Sequence, residues 1–209
     1  MNACVEPTQI PETGRDPVPC GAPSAPTGGP RDKLECGMTA ADYRAVFDRA
    51  VERIEASYGL KVRLGPVIGS YTGQFDGLEI WVDPEKDPEE ALFILVHLFG
   101  HTVQWNLDAH LREVGLAVTG VKEEDLPRIY EYERQASQLA LGLLAEIGQA
   151  DLARWLTDCF GADWKFLSRF YRTGEKLRFE KHCGADEPLL TPLPIPRFTP
   201  QRWPPRGSF

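Results

Sequence analysis

From Thr39 onward the chain alternates between a helical period and short strand-like runs. Tyr43, Val46, Phe47, Ala50, Val51, Ile54 and Tyr58 recur three and four apart, which predicts an amphipathic helix closed by Gly59. Thr39 followed by Asp42 gives that helix a capping box. The runs VRLGPV, IGSYTG and GLEIWVD come next, separated by glycine-containing turns. They predict a small antiparallel or mixed sheet over residues 61–83. Asp87-Pro88 then supplies an N-cap and a first-turn proline for a helix over 88–105. That helix is apolar nearly all round at Ala91–Val96, so it is expected to run through the core.

A third helix is predicted after Pro127, with Ile129, Tyr132, Ala136, Leu139, Ala140, Leu143 and Ile147 on one side. Two further helical stretches, about 150–160 and 162–173, carry Trp155, Leu156, Trp164, Leu167 and Phe170. Helix, then sheet, then helices is the order of an α+β fold.

Proline marks the boundaries. Seven of the eighteen prolines lie in residues 1–36 and seven in 188–209. The first stretch has almost no large apolar residue to offset its ordering entropy and is expected to be a flexible tail. The last mixes proline with Leu193, Ile195, Phe198 and Trp203, so an extended segment docked on a domain spanning 37–187 is expected. Arg197, Arg202 and Arg206 give it local positive charge against an acidic domain.

Composition narrows the function. With 23 basic and 31 acidic residues the net charge is −8, which disfavours a nucleic-acid partner. The longest apolar run has six residues where a membrane span needs roughly 18, and the N-terminus lacks a signal-peptide pattern. A cytoplasmic protein without membrane attachment is expected. The five cysteines form no CxxC pair, so they are read as idle thiols rather than as metal ligands or a disulfide framework.

The candidate chemistry lies in the buried helix. His97 and His101 stand four apart, which puts two imidazoles on one helical face as a ready pair of ligands for a divalent metal. Gly100 between them allows another backbone to come close. On the next helix Glu133 lies beside a face of small residues, Ala136, Ser137 and Ala140, and Glu131 is its rival at neighbouring register.

VHLFGHTVQW followed about thirty residues later by ERQASQLALGLL resembles the ImmA/IrrE-like metallopeptidases, a minimal gluzincin-type family whose pattern is H-E-x-x-H and then E-x-x-A-N-x-F-A. The resemblance covers residues 39–150. It implies a zincin-like domain in which His97, His101 and Glu133 hold one metal ion, Zn²⁺ by the family's habit. One departure stands out. The family's glutamate after the first histidine, which serves as proton acceptor, is here Leu98.

Three readings follow. A metallohydrolase would draw its base from elsewhere, with Glu131, Glu113 or His110 as candidates and Tyr130 or His182 as oxyanion donors. A two-His-one-carboxylate centre would suit Fe²⁺ and oxygen chemistry, with Leu98 as an apolar wall. A pseudoenzyme would keep the ion and bind a peptide or protein segment without cutting it, with PLPIPRF itself able to lie across the cleft.

Overall fold

A computed structural model describes residues 37–67, 71–116, 119–175 and 187–208. The expected tail over 1–36, four of the five cysteines (Cys4, Cys20, Cys36 and Cys183) and His182 lie outside the described residues. The fold is α+β. Helix α1, Ala40–Tyr58, opens on the Thr39–Asp42 capping box and ends at Gly59, whose φ of +66° is the left-handed turn that stops a helix. Three strands follow, β1 (Lys61–Leu64), β2 (Gly73–Phe75) and β3 (Glu79–Val82).

The sheet is mixed, in the order β1-β3-β2-β4, with β1 parallel to β3 and β2 antiparallel to β3. Of the run IGSYTG, residues 68–70 lie outside the described residues, and the strand begins at its final glycine, Gly73, and continues through Phe75. The fourth strand, β4 (Arg206–Ser208), arrives from the far end of the chain and pairs antiparallel with β2. Three residues carry no periodicity, so nothing local announced it.

Helix α2, Pro88–Leu107, is the central element. Asp87 accepts hydrogen bonds from the Glu89 and Glu90 amides, and burial extends over nearly every side from Ala91 to Trp105. Asp108 then caps a short helix α3, Ala109–Gly115, that the sequence pattern did not reveal. Helix α4, Leu126–Glu146, lies against α2. The two stretches expected at 150–160 and 162–173 are one helix, α5, Ala153–Thr173, preceded by a 3-10 turn at Ala150–Leu152. Gly161 does not break it, because a buried helical glycine is held by the packing around it. Among the described residues no helix is long and apolar enough to cross a membrane.

From 187 the chain runs extended over the domain. The Leu190 amide donates to Thr157 Oγ1, and the Leu193 amide donates to the Gln138 carbonyl. Phe198 stacks on Tyr58 with centroids 5.8 Å apart. Further on, Trp203 donates its amide to the Asp76 carbonyl and lies beneath the Arg112 guanidinium.

The tightest helix contact is at Gly100. A Cβ added there would lie 2.1 Å from the Ala136 carbonyl oxygen, so the backbones of α2 and α4 touch directly. Gly100→Ala is therefore expected to lower the unfolding free energy by about 3 kcal/mol, even though alanine's helix propensity returns roughly 1 kcal/mol. Gly65→Ala, where a Cβ would meet nothing within 4 Å, is expected to stay within about 1 kcal/mol of the parent. Urea unfolding of the two variants checks both.

Candidate metal centre

The close crossing at Gly100 and Ala136 positions everything else. It falls between His97 and His101 on α2, and it sets Glu133, one turn before Ala136 on α4, against both imidazoles. The three side chains are buried and form a group that can hold a metal ion. His97 Nε2 and His101 Nε2 are 3.0 Å apart. Glu133 Oε2 lies 3.2 Å from the first and 3.0 Å from the second. Two ligands about 2.05 Å from a tetrahedral ion stand about 3.3 Å apart, so this triangle is close to the size such an ion requires.

The surroundings fix which nitrogen of His101 carries hydrogen. The Gln104 amide nitrogen donates to the Tyr132 carbonyl at 2.8 Å, and a carbonyl can only accept. The Gln104 oxygen therefore faces His101, 2.9 Å from Nδ1, and that nitrogen must be the donor. Gln104 is in turn held at Gln135 Oε1, 2.9 Å away. His97 Nδ1 lies 3.4 Å from Ser137 Oγ. With hydrogen on Nδ1, a neutral His101 aims its Nε2 lone pair at the Glu133 carboxylate. A neutral His97 with its hydrogen turned to Ser137 would add a third acceptor atom at the same spot, and a common cation would satisfy all three at once.

Glu133 is held on both sides. Its Oε2 faces the histidines, while its Oε1 accepts from the Tyr171 hydroxyl at 3.1 Å. Burial alone would raise its carboxyl, but His101 and then His97 outweigh burial and keep it below the usual carboxylate range. Burial is also the main reason that the Tyr171 hydroxyl is raised, with the Glu133 charge adding to it. The Arg206 side chain opposes that rise, through its charge and a hydrogen bond to the hydroxyl. The rings are wedged between aromatic partners. His101 stacks on Tyr132 at 4.5 Å and His97 on Phe93 at 5.5 Å.

A cavity of about 30 Å³ adjoins the group, room for about one water-sized ligand. Phe75, Leu98, Leu167 and Phe170 give it an apolar wall opposite the polar side chains of the group, and Arg206 and Gly207 of β4 line it as well. Leu98 is fully buried there. Glu131 and Tyr130 are not among the lining residues. Glu131 is exposed and receives both Arg134 Nε and Nη2, on the wall of an outer groove. Tyr130 donates to Glu187. His110 and Glu113 are exposed and lie within 3.7 Å of each other.

Four residues that sequence reasoning did not single out belong to the centre or its surroundings. Gln104 was legible in principle, three positions after His101 on the same helix. Tyr171 reaches Glu133, and Arg206 reaches Tyr171, from distant parts of the chain, and neither contact had a local signal. The fourth is Asp163 on α5, 5% exposed and within the electrostatic reach of His97 and Glu133. Burial pushes its carboxyl up to about 7, with His97 opposing the rise and Glu133 adding to it.

Comparison with protein-family models, with curated proteins and with solved structures finds no match to this chain.

Partners behind metal ligands typically carry roughly 10- to 100-fold in affinity. Tyr171→Phe and Gln104→Ala are each expected to weaken Zn²⁺ binding by that order, read by competition with a chromophoric chelator. Asp163 makes a separate prediction for chelator-treated protein. An unfolded aspartate ionises near 3.8 and the folded one at about 7, so the folded state binds more protons between those values. Stability from this group is full below pH 4 and is lost as pH rises through 7. Between pH 5 and 8 the parent should lose on the order of 2 kcal/mol relative to Asp163→Asn, measured by urea unfolding of both at each pH.

Proposed function

We propose that this protein carries one divalent ion on His97 Nε2, His101 Nε2 and Glu133, zinc first, in a peptidase-like centre that has lost its hydrolytic base. The observation that carries this reading is the convergence of three atoms of ligand type within 3.2 Å in a buried site, with an outward nitrogen and an outward oxygen each tied to a neighbour. Two imidazoles and a carboxylate are a frequent zinc set, and a bound ion would supply Lewis acidity to an oxygen placed beside it.

The chain's own residues shape the rest. Leu98 puts hydrocarbon where an ImmA/IrrE-like peptidase has its glutamate, so no carboxylate at that position can accept a proton. Loss of a positioned base costs roughly 10²- to 10⁴-fold in hydrolysis. Tyr171 keeps a hydroxyl proton at Glu133, and Arg206 holds that hydroxyl from the opposite side. A degenerate metallopeptidase that binds rather than cuts fits these features. The small apolar cavity also favours a second reading, in which the same triad holds Fe²⁺ and admits a diatomic ligand.

Protein purified without chelator is expected to contain close to one equivalent of zinc by elemental analysis. An equivalent of iron instead would favour the second reading, and less than a tenth of an equivalent of any transition metal would overturn both. On zinc-loaded protein, Leu98→Glu should raise peptidase activity by at least about 100-fold over the parent.

A further inference from the structure

Strand β2 would be a sheet edge without β4. Its outward N–H and C=O groups would then be open to pairing with any extended chain. In the structure that role is filled by residues 206–208, in antiparallel register with Gly73 opposite Ser208, Gln74 opposite Gly207 and Phe75 opposite Arg206. The same three residues bring a ligand-like element to the centre. Arg206 and Gly207 line the cavity beside His97, His101 and Glu133, and the Arg206 side chain hydrogen-bonds the Tyr171 hydroxyl that serves Glu133. Beneath it β2 rests on the central helix, since a Cβ at Gly73 would meet Ile94 and Leu98 at 2.6 and 2.7 Å.

Attachment of this strand is separable from that of the residues before it. The Gln201 amide donates to Asn106 Oδ1 at 2.8 Å, and the Trp203 amide donates to the Asp76 carbonyl at 2.6 Å. Arg112 lies 3.8 Å over the Trp203 ring, and Arg202 pairs with Asp76 at 2.9 Å. Pro204 and Pro205 follow with no N–H to give a ladder, so the anchor ends at Trp203 and β4 is a separate, three-residue attachment. Strands this short contribute few main-chain bonds, each worth about 1 kcal/mol net.

The position also has a demand. A Cβ on residue 207 would lie 2.4 Å from the Tyr71 ring, so any larger residue there must displace either that ring or the strand itself.

We infer that residues 206–208 are an internal stand-in for a peptide ligand, and that the β2 edge over the centre is a docking site for an extended segment carrying arginine followed by glycine. The inference deepens the peptide-binding side of the function proposed above by naming its ligand class and its built-in competitor. Pairing is antiparallel to β2, the arginine reaches Tyr171, and the glycine passes Tyr71. The internal strand must leave before an outside segment enters, so the chain limits its own site.

The probe is a capped, fluorescently labelled hexapeptide of the sequence Trp-Pro-Pro-Arg-Gly-Ser, titrated by anisotropy against the full chain. Binding is measured with and without chelator, because the main-chain pairing needs no ion, whereas the ion's presence is settled separately by elemental analysis. Gly207→Val in the protein should eject the internal strand and tighten peptide binding at least tenfold over the parent. Arg206→Ala, which adds no bulk, should tighten it in the same direction by a smaller factor, and a peptide with valine in place of glycine should not bind. If neither variant binds the hexapeptide more tightly than the parent, or the valine peptide binds as well as the glycine one, the inference is overturned. Failure to find an ion by elemental analysis, with the gain still present, would remove the metal reading and leave the docking site standing.

Discussion

The direct contact of two helix backbones at Gly100 and Ala136 is the constraint on which the site depends. Helix axes usually stand 8–10 Å apart because side chains hold them off. Here one partner has no side chain at the crossing and the other has only a methyl group, so α4 presses its carbonyl into the gap. The consequence is geometric. The close crossing brings one Glu133 oxygen within 3.2 Å of both imidazoles. The cost is borne elsewhere, by the continuous apolar surface of α2 and by the aromatic rings that wedge each histidine.

That same surface explains why one position changes the chemistry without changing the fold. Leu98 points into the space beside the two histidines and packs under β2, where Gly73 leaves room for it. A leucine there adds buried hydrocarbon to the core and removes a charge from it.

Much of this was legible in the sequence because it rests on local rules. Thr39 with Asp42, Asp87 with Pro88, and the recurring apolar positions of α1 and α4 each fix an element by contacts within a few residues. The histidine pair and Glu133 could be placed on their helices for the same reason, and small residues around them hinted at close approach. What stayed hidden depends on contacts far apart in the chain. Strand β4 exists only because β2 offers it partners, and Tyr171 reaches Glu133 across 38 positions. The two stretches expected at about 150–160 and 162–173 are one helix because local propensity describes an isolated segment, whereas α5 is held by what it packs against.

Tyr171 is shared, giving its proton to one side and accepting from the guanidinium on the other. A hydroxyl that accepts from a cation donates more strongly, so Glu133 gives up less electron density inward while Arg206 is in place than when it is not. The strand's position and the grip on a bound cation are thereby thermodynamically linked, and linkage runs equally in both directions. On the proposed reading, loading the centre would shift how often the strand opens by the same factor that opening would shift the loading, so the colour of a cobalt substitute would act as a gauge of the strand's position.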